Sequence, residues 1–232
     1  MQHIVITGTG RAGTTVLVQC FTALGMDTGF TADDAEKLDP VARAGLELKL
    51  KTHPEHEVIK APAQADRIAA FLAHETIDVE AAIIPVRDLF SAAESRRHVY
   101  RTAKALNRNP LRQPGGLWKT KNPAEQEEKL ALQFYGCLQP FVAKGIPVHL
   151  LDFPRFTLDA AYLHHALRPV FARRGISEDD VAAALRDVVK PDLINDFQAR
   201  RTASAAAETS PASHTGAPWQ RWGDSLKALR FF

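Results

Sequence analysis

The chain has 232 residues, 45% of them hydrophobic and 24% charged, and its 29 Lys and Arg stand against 27 Asp and Glu for a net charge of +2. This is an ordinary globular composition, and the length suits a single domain over residues 1–232 that buries its apolar surface without disulfide or metal staples. The near-neutral balance argues against nucleic acid as a partner. The lack of an ~18-residue apolar run or a leader pattern argues against a membrane, so the expectation is a cytoplasmic protein acting on small molecules.

In chain order, His3-Ile4-Val5-Ile6-Thr7 is rich in β-branched residues and predicts a strand, and Gly8 to Thr15 follows at once as a glycine loop. Leu17, Cys20, Phe21 and Leu24 then fall at i, i+3, i+4 and i+7 before Gly25, which predicts a helix of about three turns. Further strands are predicted at Glu57 to Pro62, Val79 to Val86 and Pro147 to Asp152, with helices near residues 64–74, 88–107 and 123–143. The last of these helices carries Leu130, Phe134, Leu138 and Phe141 on one face. Beyond the fourth strand the chain reads as helical, with Tyr162 to Ala172 and a capped start at Ser177-Glu178-Asp179-Asp180. Residues 199–217 have the Ala, Ser and Thr content of a loop, and Trp219 to Asp224 reads as a packing segment. Alternating strands and helices predict an α/β fold with a parallel sheet of about four or five strands covered on both faces. Cys20 and Cys137, each inside a helical pattern, are expected to be buried free thiols.

The glycine loop fits more than one pattern. As Gly8-x-Gly10-x-x-Gly13 it matches a dinucleotide fingerprint, but Met26 to Thr31 is too short and glycine-broken to supply the second strand that this reading needs. As Gly8-x-x-x-x-Gly13-Thr14-Thr15 it is a phosphate-binding P-loop in which Thr14 replaces the usual lysine. A plain tight turn is the bland alternative, although an arginine and two threonines exceed what a turn requires.

Arg11-Ala12-Gly13-Thr14-Thr15, between a strand and a helix, resembles the phosphosulfate-binding loop of the sulfotransferases that use 3′-phosphoadenosine 5′-phosphosulfate (PAPS). A second motif accompanies it: Arg87 closes the third strand and Ser95 lies eight residues on, as in the pair that binds the 3′-phosphate in that family. The physical sense is a bidentate guanidinium fork and a hydroxyl offered to a dianion. The resemblance implies a three-layer, P-loop, sulfotransferase-like fold in which Arg11, Ala12, Gly13, Thr14 and Thr15 cradle the 5′-phosphate. It further implies that Lys60 reaches the transferred sulfonate and that Arg200 and Arg201 fold over the 3′-phosphate. Arg11 and Lys60 would supply the positive charge for transfer to a hydroxyl or amine of a small molecule or carbohydrate, leaving 3′-phosphoadenosine 5′-phosphate (PAP), with no metal required. For the general base the family pattern points to an acid after the first helix, here Asp33, Asp34 or Glu36, whose other reading is the acidic start of a short helix from Ala32 to Leu38. The family pattern also allows a histidine near the second strand as the base, but His53 and His56 precede that strand instead of following Lys60, while His98 and the His164-His165 pair lack the company of metal ligands.

Two alternatives remain at this level. One is a kinase or nucleotide phosphotransferase using Mg-ATP, with Asp152 at the end of an apolar strand holding the metal with Thr15. The other is a non-catalytic nucleotide-binding protein. Residues 26–56 and 97–122 are expected to line the acceptor pocket, and neither carries a recognisable selectivity signature.

Overall fold

The computed structural model of the protein describes residues 1–191 and Phe197, and Met1–Phe197 forms one compact unit. Arg200, Arg201, the 199–217 loop and the Trp219 to Asp224 segment lie outside the described residues.

Four parallel strands form the central sheet: β1 (Gln2–Ile6), β2 (Val58–Lys60), β3 (Asp78–Val86) and β4 (Val148–Asp152), in the order β2-β1-β3-β4. β1 lies in the middle, with Val5 opposite Ile59 on one side and Ala82 on the other. Its side chains alternate between two cores, as period-2 geometry demands of a strand covered on both faces. Ile4 and Ile6, with Val58, Ala81 and Ile83, face α1 (Thr14–Ala23), α6 (Ala160–Ala166), α7 (Arg168–Ala172) and α8 (Glu178–Val188). Val5, with Ile59, Ala82 and Ile84, faces α2 (Ile68–Leu72) and α4 (Gln126–Ala143). α3 (Leu89–Ala105) packs on α4 through Ala92, Ala93 and Leu130, and the short α5 (Arg155–Leu158) follows β4. The result is a three-layer α/β fold. Phe21 and Phe171 meet edge-to-face in one core while Phe141 fills the other, and burying each such ring contributes about 2–3 kcal/mol.

The helix ends follow the local chemistry. Ser177 and Asp180 form a reciprocal capping box on α8, and Asp88 caps α3 by accepting from the Ser91 N–H at 2.8 Å. The helix expected over Tyr162 to Ala172 divides at Leu167, because Pro169 has no N–H for the preceding turn and begins α7 instead. Arg174 forks between Glu57 and Glu80 and ties the end of α7 to the sheet. Cys20 and Cys137 are buried free thiols, each pushed up to about 12 by burial. Among the described residues no helix is long and apolar enough to cross a membrane.

Candidate functional site

Between β1 and β3 the chain changes the direction in which it adds strands, and in open parallel sheets such a switch point leaves a crevice at the strand carboxyl ends. The glycine loop, the end of β3 and the end of β2 all open into this region. Gly8, Gly10, Arg11 and Gly13 have φ of 125°, 67°, 58° and 79°. These positive-φ positions coil the loop tightly, and it feeds directly into the N-terminus of α1, where the first backbone N–H groups of a helix can meet an anion. Gly13 is required twice over: its φ is left-handed, and a Cβ there would lie 2.6 Å from the Phe153 ring and 2.9 Å from that of Phe156.

Four cations converge on the loop. Arg11 Nε donates to Ser95 Oγ at 3.1 Å and its Nη1 to the Ala42 carbonyl at 2.5 Å. Arg87 donates to the Arg11 carbonyl at 3.2 Å, and its guanidinium lies over the rings of Phe153 and Phe197, at 5.1 and 5.5 Å. Lys60 is only 1% exposed: its ammonium donates to Thr15 Oγ1 at 3.2 Å and to the Gly45 carbonyl, 3.7 Å from Glu47 Oε1. Arg96, next to Ser95 and 6% exposed, donates to the Thr9 carbonyl at 2.5 Å and to the Gly116 carbonyl at 2.6 Å.

Burial holds three of the four below their ordinary values. Lys60 falls to about 8 against the pull of Glu47, Arg11 to about 10 with the Arg87 charge adding to the effect, and Arg96 to about 9 with Arg11 adding to it. Positive groups crowded out of water in this way gain from an anion placed among them. Among the described residues three buried side-chain atoms have no hydrogen-bond partner, Thr7 Oγ1, Arg96 Nε and Gln133 Oε1, and all three border the loop. Thr7 immediately precedes Gly8, and the other two side chains donate to the carbonyls of Thr9 and Gly8.

The structure therefore brings together Arg11, Gly13, Thr14, Thr15, Lys60, Arg87 and Ser95, with Ala12 buried in the core beneath the loop. Ser95 bonds Arg11, whose carbonyl Arg87 holds, and Lys60 is a buried strand-end cation. Asp34 accepts from the Thr31 N–H and hydroxyl and pairs with Lys37, which holds its carboxyl down at about 2. Asp33 and Asp34 thus form the acidic start of a 3-10 turn over Ala32–Lys37 that also holds Glu36, and among the described residues no hydrogen bond or ion pair links the three to Lys60 or Arg11.

The carboxylate beside Lys60 is Glu47, while Asp39 lies within electrostatic reach of Arg11. A sequence signal existed for it: Glu47 is the sole acid between Pro40 and Pro54, interleaved with Leu46, Leu48 and Leu50. Asp152 sits exposed at the end of the edge strand β4, two strand spacings or about 10 Å from β1, and no contact joins it to Thr15. Among the described residues no three His, Cys, Asp or Glu side chains gather as metal ligands.

One more feature escaped the sequence reading. From Ser95 to Ala124 the chain carries eight Lys or Arg and no Asp or Glu, so the rest of a chain with net charge +2 is acidic. Its turn at Gly115 and Gly116 lies against the cation cluster. The Cα of Gly115 lies so close that a Cβ there would come within 3.2 Å of Arg11 Nη1, and Gln113 donates to Asp39 Oδ1 at 2.7 Å.

No protein-family model matches the chain, and no curated protein matches it in sequence.

Proposed function

We propose that the chain is a sulfotransferase that moves a sulfonate group from PAPS to an acceptor hydroxyl or amine. The observation that carries this reading is the placement of Arg11. Its backbone belongs to the glycine loop, its guanidinium is bonded to Ser95, and its carbonyl is held by Arg87, so the two motifs form one connected cationic surface. The residues present fit a multiply anionic nucleotide: a positive-φ glycine loop at a helix N-terminus, buried cations below their ordinary pKa and, among the described residues, a single carboxylate, Glu47, within ion-pair reach of Lys60.

PAPS supplies an activated sulfonate whose bond to the phosphate bridge oxygen breaks as the acceptor oxygen or nitrogen bonds to sulfur. The N–H groups of Gly13, Thr14 and Thr15 bind the 5′-phosphate, and Arg87 with Ser95 receives the 3′-phosphate. Arg11 and Lys60 stabilise charge on the leaving and equatorial oxygens, which is the main demand of in-line transfer. Glu47 takes the acceptor proton. Its side chain is 30% exposed, so it meets an incoming acceptor while its carboxylate is fixed by Lys60.

Calorimetric titration with PAP, Mg-ATP and NAD tests the reading. PAP is expected to bind most tightly, and Arg87→Ala to weaken PAP by roughly tenfold or more while leaving adenosine 5′-phosphosulfate, which lacks the 3′-phosphate, nearly unaffected. Preference for Mg-ATP or NAD, or equal losses for both ligands in the variant, overturns it.

A further inference from the structure

β1 and β2 are paired as far as Ile6 and Lys60, and the Ala61 N–H still reaches the Ile6 carbonyl at 2.9 Å. The ladder ends there: one chain enters the glycine loop and the other a 3-10 turn that begins at Pro62. A side chain from α4 spans the two. Gln133 Nε2 donates to the Gly8 carbonyl at 3.2 Å and to the Pro62 carbonyl at 3.4 Å, and these residues lie two places beyond the last pair on each chain. Two carbonyls cannot bond each other, whereas a primary amide carries two N–H groups, one for each. The amide thus fixes the distance between the loop and the segment that carries Lys60 where the ladder no longer does. That distance matters at the site, because Lys60 reaches across it to Thr15 Oγ1 at 3.2 Å.

Packing alone does not call for an amide here. Gln133 is 8% exposed, and its Oε1 is buried with no hydrogen-bond partner among the described residues, a cost that an apolar side chain would avoid. Gln126, two turns earlier on the same helix, is the contrast: it is fully buried, and both ends of its amide are bonded to Trp118, to the N–H at 2.7 Å and to the carbonyl at 3.5 Å. Arg96 makes a second bridge, from the Thr9 carbonyl to the Gly116 carbonyl, but it also brings a charge into the cluster. Gln133 is neutral and its bonds go to backbone carbonyls, so what it contributes is spacing and not charge.

We infer that Gln133 is a positioning residue that sets the distance between the glycine loop and Lys60, and hence the fit of a ligand that engages both. The inference rests on the sulfotransferase reading, in which the loop takes the 5′-phosphate and Lys60 the sulfonate, and adds to it a residue that touches neither group. PAPS spans both ends, whereas PAP lacks the sulfonate that Lys60 would meet. Loss of the bridge therefore costs PAPS more than PAP.

Calorimetric titration with PAPS and PAP compares Gln133→Met, which keeps the side-chain length and loses both N–H groups, with the wild type and with the same substitution in a Lys60→Met background. In Gln133→Met, PAPS is expected to weaken by about tenfold and PAP by no more than about threefold. In the Lys60→Met background the substitution should cost PAPS no more than about threefold, because the contact that it misplaces is already gone. Gln126→Met is expected to lower the melting temperature while leaving both affinities within about twofold. Gln133→Asn, whose amide is one methylene too short to reach both carbonyls, is expected to repeat the split and carries the test should the Met variant not fold. Equal losses for PAPS and PAP, unchanged affinities, or a loss on PAPS that persists undiminished in the Lys60→Met background overturns the inference. If the wild type binds neither nucleotide, the sulfotransferase reading falls as well; if it binds both and the variants show no split, only the positioning role does.

Discussion

The ammonium of Lys60 loses nearly all of its hydration on folding, and burial lowers its pKa to about 8 although Glu47 pulls the other way. In the unfolded chain the group titrates near 10.5, so between about pH 8 and 10.5 the unfolded state holds more protons and stability rises with pH. Below about 8 both states are charged and the whole penalty, about 3 kcal/mol, stands. Under the proposed function catalysis has the opposite sign, because only the charged lysine would stabilise a sulfonate. We expect kcat/KM, which reports the free enzyme, to fall as pH passes about 8, while Lys60→Met raises the melting temperature at pH 7 and lowers kcat by roughly 10²-fold or more. A pH profile and a melting series check both limbs. For Glu47→Gln the expectation is a fall in kcat of roughly 10²- to 10⁴-fold with PAP affinity unchanged. A kcat within a few-fold of wild type removes Glu47 as the base.

At the scale of elements, the glycine loop owes its shape to what lies beneath it. Gly13 rests on Phe153, and Phe153 in turn carries the Arg87 guanidinium, so the start of α1, the end of β4 and the end of β3 are coupled through one ring. Gly13→Ala should displace that ring and cost about 1–3 kcal/mol of stability together with roughly tenfold in PAP affinity. Gly25→Ala is the control: its φ of 78° is also left-handed, but nothing lies within 4 Å, so only the backbone strain of about 1–2 kcal/mol remains and PAP binding is kept. Urea denaturation and titration separate the two effects.

The strands and long helices were legible in the sequence because their periods of 2 and 3.6 are enforced by the cores they face. Residues 26–56 were not, since this stretch has one 3-10 turn, two non-glycine left-handed residues, Arg43 and Leu46, and no period to read. Glu47 therefore went unassigned, because it reaches Lys60 through loop geometry that no spacing rule encodes. The Arg11, Lys60, Arg87 and Ser95 set was legible as motifs, but the bonds that tie Ser95 and Arg87 to Arg11 depend on side-chain directions that only the packed structure fixes.

For the molecule as a whole, alternation of strands and helices announced a parallel sheet, yet the strand order depends on which side of β1 each later strand joins. That choice is made by the two cores together. It places β1 centrally, with a neighbour on each side, and opens the crevice where the cations meet. It also sets a timetable for synthesis. At about 5–20 residues per second, Ile6 leaves the ribosome several seconds before its partner Ile83 is made, and the Phe153 ring beneath Gly13 follows later still. During that interval the nascent chain displays an apolar strand with neither neighbour in place, which is when a chaperone has most to shield. A nucleotide cannot template these early steps, because the loop that would hold it has no floor until β4 is finished, so any ligand acts only on the completed molecule.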